Sequence, residues 1–485
     1  MKQPSLKKNY IYKLFYEVLT IITPLITAPY VSRVLKADGV GIYSYSLSLM
    51  TFFTLVAALG TVSYGTREIA QHRNSKLQYS KLFWEIEILS LTTTGLCLLG
   101  WTTVICWSKA YKYYFIALIP QLLAVAADIS WFYTGLEKIG YTVFWNSVCK
   151  ILGVIGVFIF VKEKSDLLVY MLIISGSHFL GNFSMWFHLR KLLVKIDKHT
   201  LSIKRHFRET LIYFVPAAAT SIYTVLDKTL IGIITKSDYQ NGYYEQATKI
   251  INICKTVAFT SVNAVMKARM SFLFSEGKTR EVKDRLKKSM DFILMLGFGC
   301  VGGIIAIANN LVPWFFGAGY DEVIPLVYLM SPLIVIIGVS NCLGAQYYTP
   351  SGQRKRSAKI IIIGAITNLC MNLILIPRLS SYGAVIGSIV AELLISVLYV
   401  RKCEGFITGS LIAKLSCKRI IAAAVMAICV YAVGKYVQIE TAILIIIQMF
   451  SGVTIYGLLL LLMRDKLIVG LVNTFLKTIN DKDLL

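Results

Sequence analysis

Seven ionisable side chains stand within or at the ends of stretches that are otherwise apolar. Arg33, Lys228, Lys249 and Lys255 are cations; Asp128, Asp227 and Glu392 are carboxylates. A charge at the centre of a bilayer costs about 2.5–3.5 kcal/mol on insertion scales, so it normally faces a cavity or a partner. Arginine grips an oxyanion with two parallel hydrogen bonds, and lysine attracts it as a point charge. A carboxylate in the same setting can bind a coupling proton or sodium ion. Each group also has a plain structural use. Glu245 lies one helical turn before Lys249, a stabilising spacing. Asp227 can neutralise Lys255 across a hairpin, and Asp128 can pair with Lys150 on the next span. Glu392 follows Gly383, Gly387 and Ala391, small residues that let helices approach closely, and there a protonated carboxyl can hydrogen-bond to a neighbour.

The elements that must position these residues follow from composition. Of 485 residues, 56% are hydrophobic and only 16% charged, with a mean hydropathy of +0.65. A soluble domain carries about 25% charged residues. A bilayer must therefore solvate much of this chain. A spanning helix needs roughly 20 apolar residues. That ruler finds fourteen segments: 11–34, 42–64, 82–107, 114–135, 141–161, 167–188, 211–234, 243–266, 290–308, 323–347, 358–376, 383–400, 420–437 and 442–463. The first is too long for a signal-peptide core and reads as a span. Pro24, Pro29, Pro120 and Pro332 should bend their spans.

The net charge of +24 would suggest nucleic acid on a soluble protein. Here it follows topology. With the N-terminus inside, 37 Lys and Arg fall in inside connections, 9 outside and four within spans. That asymmetry sets both termini in the cytoplasm. Ten scattered cysteines form no CxxC pair, so no zinc or redox motif and no disulfide framework is expected. Neither a metal site nor a cofactor motif is apparent.

The chain also repeats itself. Lys36-Ala37-Asp38 with Gly41 and Tyr43 follows the first span, and Lys236-Ser237-Asp238 with Gly242 and Tyr244 follows the seventh. Tyr133-Thr134-Gly135 ends the fourth span, and Tyr348-Thr349-Pro350 ends the tenth. Arg190-Lys191 ends the sixth, and Arg401-Lys402 ends the twelfth. Copies six spans apart run in the same membrane direction. The expected architecture is all-α and polytopic, with about fourteen transmembrane helices in two parallel six-helix lobes plus two C-terminal helices. The lobes are 1–191 and 210–402, joined by a basic cytoplasmic linker at 192–209, with spans 13–14 and a tail at 403–485.

Four stretches resemble a known family. They are Ala28-Pro29-Tyr30-Val31-Ser32-Arg33-Val34-Leu35 with Asp38-Gly39-Val40-Gly41; Gly65-Thr66-Arg67-Glu68-Ile69-Ala70; Asp128-Ile129-Ser130-Trp131-Phe132-Tyr133-Thr134-Gly135-Leu136-Glu137-Lys138; and Leu226-Asp227-Lys228 with Gly242-Tyr243-Tyr244. The chain resembles the Wzx-type polysaccharide repeat-unit flippases of the multidrug/oligosaccharidyl-lipid/polysaccharide exporter superfamily. It departs from them at Lys36, where Gly is usual. The resemblance implies an undecaprenyl-pyrophosphate-linked oligosaccharide as cargo, moved across the bacterial cytoplasmic membrane by alternating access for O-antigen, capsule or exopolysaccharide synthesis. Arg33, Lys228, Lys249 and Lys255 would then form a cationic substrate track, with Asp128, Asp227 and Glu392 as coupling-ion or structural charges. Proton or sodium coupling and a polysaccharide polymerase partner are compatible with this reading, and nucleic acid is not. A drug or metabolite exporter or a lipid II flippase of the same fold are the nearest alternatives. A membrane glycosyltransferase or polymerase fits less well, because the outside loops are short and carry no acid–base constellation. No nucleotide-binding motif is present, and no enzymatic role is expected.

Overall fold

A computed structural model describes residues 6–482, and every regular element in that range is helical. The chain forms two compact units, 1–242 and 243–485.

In the first unit, α1 (Leu6–Ala58) runs through a change of direction at Lys36 and carries two predicted spans. It is followed by α2 (Thr61–His72), α3 (Lys76–Trp107), α4 (Lys112–Ala117), α5 (Ile119–Ala127), α6 (Ser130–Gly135), α7 (Ile139–Phe160), α8 (Leu167–Phe183), α9 (Trp186–Leu189) and α10 (Lys204–Thr235). Two apolar cores hold this unit together. One gathers Leu35, Met50, Trp101, Phe115 and Val157. The other gathers Ile69, Phe83, Trp131, Phe132 and Tyr133. Two of the motif stretches meet in this second core. A side chain at Gly65 would collide with the Trp131 ring, and one at Gly135 with Ile69.

The second unit takes in α11 (Asp238–Lys255) from its second turn. It continues with α12 (Ser261–Ser275), α13 (Thr279–Phe316), α14 (Val323–Met330), α15 (Leu333–Leu343), α16 (Arg354–Lys402), α17 (Gly409–Tyr436), α18 (Thr441–Leu462) and α19 (Lys466–Lys482). Single π-turns at Thr256–Thr260 and Gly344–Tyr348 interrupt the helical run. The predicted tenth span bends by 41° between α14 and α15, where Pro332 stands.

The predicted segments fall mostly on helix among the described residues, with breaks inside the second, fourth, sixth and tenth. Among the described residues, nine helical stretches are long and apolar enough to cross a membrane, or ten with the bent pair. Two of the nine each hold two predicted spans, divided at Lys36 and Ser380. The eighth segment, on α11–α12, is not among them and carries Lys249 and Lys255; Asp227 and Lys228 stand on α10. The protein is a multi-pass membrane protein.

Both halves of the repeat appear as matching contacts. The buried hydroxyl of Tyr133 donates to the Met185 carbonyl at 2.7 Å, and that of Tyr348 to the Tyr399 carbonyl at 2.9 Å. The two bonds join the fourth to the sixth span and the tenth to the twelfth. The turns after spans one and seven also meet inside the first unit. A Cβ on Gly41 would lie 1.7 Å from the Asp238 carbonyl oxygen, and one on Gly242 1.9 Å from that of Ala37. Only glycine permits this reciprocal approach.

Candidate functional site

Arg33 is exposed near the end of the first predicted span, three residues before the break at Lys36. That break accounts for a glycine preference at this position, which Lys36 does not follow. Lys36 has φ 60° and ψ 177°, a conformation essentially reserved for glycine. On α10, Asp227 is buried and Lys228 half-buried, and the Lys228 carbonyl accepts a bond from the Asn241 amide at 2.9 Å. On α11, Lys249 pairs with Glu245 at 3.7 Å, the one-turn pairing expected from the sequence. Lys255 ends α11 and abuts the π-turn at Thr256–Thr260. Such turns commonly mark functional positions in helices.

Asp128 stands where the fourth span is broken. It separates α5 from α6 in an extended conformation, and its Oδ1 accepts the Ser130 backbone N–H at 2.9 Å. The pairing expected between Asp128 and Lys150 is not formed. Lys150 donates instead to the Thr20 hydroxyl at 3.1 Å and lies over the Tyr16 ring. Glu392 is buried on α16 within 3.5 Å of the Ser340 hydroxyl of α15, the interhelical bond that its small-residue surroundings allow.

Several polar groups escaped the sequence reading. The fully buried Glu85 of α3 accepts the Ser202 N–H at 2.7 Å, Arg205 Nη2 at 2.6 Å and His206 Nε2 at 2.9 Å. His206 Nδ1 in turn meets the Tyr64 hydroxyl at 2.7 Å. This network borders a cavity of about 570 Å³ that Glu68, His72, Lys81 and Glu209 also line. In the second unit, Arg419 is buried between Asp291 and Asp465. Gln346, on the second π-turn, donates to Asn263 at 2.6 Å and Ser289 at 2.7 Å. The sequence signal for Glu85 was its place near the start of an apolar run. Nothing local announced the partners, which lie more than a hundred residues away.

The second unit also contains an apolar groove of about 420 Å³. Helices α13, α17 and α18 form most of it, and Gly299, Gly303, Gly452 and Gly457 open its walls. Gln448 and Tyr456 are the polar residues at its edge.

The polysaccharide biosynthesis protein family matches residues 6–271, more than half of the chain. The chain belongs to that family. A member named "Putative O-antigen transporter" from Escherichia coli (strain K12) is 24% identical over 81% of this chain and 95% of its own length. One of the same name from Shigella dysenteriae is 25% identical over 82% and 99%. Among solved structures, the lipid II flippase MurJ in its inward closed conformation has a TM-score of 0.70 at 15% identity, covering 94% of this chain and 99% of MurJ. An inward-facing multidrug resistance MATE transporter of the MOP superfamily has a TM-score of 0.57 at 14% identity, covering 82% and 99%. At these identities the two structures establish a shared polytopic helical fold. The motif residues Gly65, Trp131, Tyr133 and Gly135 of this family member serve packing.

Proposed function

We propose that this protein flips a polyprenyl-pyrophosphate-linked oligosaccharide repeat unit from the inner to the outer leaflet of the bacterial cytoplasmic membrane. The observation that carries the reading is the placement of charge. Two helical segments expected to span the membrane, α10 and α11–α12, carry Lys228, Lys249 and Lys255. A pyrophosphate cannot cross hydrocarbon bare, and cations on membrane helices lower that barrier. The O-antigen transporters to which the chain is similar supply the cargo class. The apolar groove beside α17 and α18 suits an isoprenoid tail, because its walls are almost wholly hydrocarbon.

Fourteen crossings with both termini in the cytoplasm fit the inside bias of Lys and Arg. Lobes 1–191 and 210–402 would move against each other around linker 192–209, with 403–485 appended to the second. Arg33, Lys228, Lys249 and Lys255 contact the pyrophosphate in turn, while Asp227 and Glu392 hold neighbouring helices. A polysaccharide polymerase would consume the product outside.

Purified protein in liposomes tests this. Polyprenyl-pyrophosphate oligosaccharide placed in one leaflet should appear in the other. Lys255→Ala should slow that transfer by about tenfold or more, the loss of one charge-assisted contact, with membrane abundance unchanged. Normal transfer by the variant removes Lys255 from the track. Export of small organic cations without lipid transfer would move the protein to the drug-exporter reading.

A further inference from the structure

One charged cavity takes no part in the track above. It encloses about 380 Å³ between the start of α13 and the start of α17, wholly within the second unit. Three lysines line it: Lys283 and Lys287 of α13 and Lys414 of α17. Arg33, Lys228, Lys249 and Lys255 contribute nothing to its wall.

The spacing of residues brings these cations together. Lys283, Lys287 and Asp291 follow one another at intervals of four residues, so they share one stripe of α13. Asp291 is joined to the buried Arg419 of α17, which holds the two helices side by side. Lys414 lies five residues before Arg419, at the level of the two lysines. The chain enters α17 through a turn with left-handed backbone at Glu404 (φ 54°) and Gly405 (φ 72°). That turn carries Phe406 and Thr408 into the cavity wall.

Like charges one turn apart on a helix repel, and Lys414 adds a third. Among the described residues none of the three lysines enters an ion pair, and no acid lines the cavity. The neighbouring acids are taken: Glu281 by Arg269 and Arg285, Glu404 by Arg356, and Asp291 by Arg419. Asp284 is exposed and lies off the lysine stripe. Lys283 and Lys287 are half-buried, so water does not fully screen them. Hydroxyl groups complete the wall. The Thr408 hydroxyl accepts the Leu411 N–H at 3.3 Å and stands 3.1 Å from that of Ser410. The start of α17 adds its own partial positive charge to that of the lysines.

Depth selects the anion. Both helices begin at connections that the count of Lys and Arg places inside. Lys414 precedes Ile420 by six residues, about 9 Å along the helix. Ile420 and Ile421 are half exposed and begin the lipid-facing surface of α17. Lipid headgroups occupy roughly the first 5–8 Å outside the hydrocarbon, within reach of a lysine side chain. Phe406 offers an apolar wall for the glycerol and the first acyl carbons. Basic pockets between membrane helices on the cytoplasmic side suit anionic headgroups for these reasons.

We infer that this cavity binds the phosphate of an anionic phospholipid headgroup, which bridges α13 to α17 on the inner side of the Arg419–Asp291 pair. The inference does not rest on the flippase reading.

Full-length protein stripped of lipid in neutral detergent provides the test, with native mass spectrometry reading bound lipid. Wild type should retain one phosphatidylglycerol and no phosphatidylcholine, and inorganic phosphate at equal concentration should not displace it. Lys283→Ala, Lys287→Ala and Lys414→Ala should each weaken retention about fivefold, and the three together about a hundredfold. Arginine at the same three positions should keep most of the affinity. Arg354→Ala, Lys355→Ala and Lys359→Ala together remove as many exposed cations from α16, outside the cavity, and should change it by about twofold at most. Equal retention of phosphatidylcholine, or an equal loss in the α16 triple variant, overturns the inference in favour of unselective lipid or diffuse charge. Displacement by inorganic phosphate overturns it too and makes the cavity a site for soluble anions. The single variants carry the test if the triple variant does not fold, and wild-type affinity in all three overturns the inference. A protein that retains this lipid but flips no lipid-linked sugar supports the inference and counts only against the flippase reading.

Discussion

Two buried charge networks, one at α3 and one at α13, solve one problem with opposite chemistry. At the first, a single buried acid, Glu85, gathers Arg205, His206 and the Ser202 amide from the turn before α10. At the second, a single buried base, Arg419 of α17, gathers Asp291 and Asp465. Each network staples the helix that follows a six-span repeat to the third helix of that repeat. In this respect α17 is to the second repeat what α10 is to the first. The difference teaches that a central buried charge of either sign can join these helices. A desolvated charge needs complementary neighbours, and either arrangement supplies them.

Removing the central groups should sharpen that contrast. Arg419→Ala strands two carboxylates in a buried site and should destabilise by about 3–5 kcal/mol. Arg205→Ala should cost only about 1–3 kcal/mol, since Glu85 retains its two other donors. Thermal unfolding in detergent reads both, and equal losses would show that the two staples are not comparable.

The turns at Gly41 and Gly242 give a second comparison. Gly41→Val forces a methyl-bearing carbon into the Asp238 carbonyl and should cost about 1–3 kcal/mol, the usual price of overpacking. Its mirror, Gly242→Val, should cost a similar amount. Unfolding temperatures of the two variants check this. An effect in only one would break the reciprocity. The lysines before these turns differ more. Lys36 occupies a glycine-only region, so Lys36→Gly should stabilise by about 1–3 kcal/mol. Lys236 lies at φ 51° and ψ 26°, in the ordinary left-handed region, and Lys236→Gly should gain less, about 1 kcal/mol at most.

The smallest expected effects distinguish the aspartates of these turns. Asp38 pairs with Lys164, whose side chain is half exposed. Asp238 instead accepts the Tyr111 hydroxyl at 2.8 Å. Burial lifts the Asp238 carboxyl above its ordinary range, and the nearby Asp38 adds to this against the opposing Tyr111 bond. The folded state therefore binds the Asp238 proton more tightly than the unfolded chain. Its stabilisation is present at low pH and lost as pH rises through the raised value. Acidification should tighten the second turn, while added salt should loosen the Asp38–Lys164 pair. An environment-sensitive fluorophore at Lys36→Cys or Lys236→Cys checks both. A second turn indifferent to acid would contradict the burial of Asp238.

The sequence alone determined an all-helical, multi-pass membrane fold, because spanning length and apolarity are local properties. It also pointed to the paired positions Lys36 and Lys236, both with positive φ, and Tyr133 and Tyr348, whose hydroxyls both donate to a backbone carbonyl. The Glu245–Lys249 pair was legible because one helical turn sets its distance. Tertiary structure decided what each charge meets. Lys150 took Thr20 and Tyr16 rather than Asp128, and Asp128 turned to its own broken helix. Glu85 and Glu87 look alike in sequence, two positions apart on one helix. About 100° of helical rotation per residue sends them to different neighbours, so one has three donors and the other none. Hydrogen bonds act over about 3 Å in space, and their partners here come from segments more than a hundred residues distant.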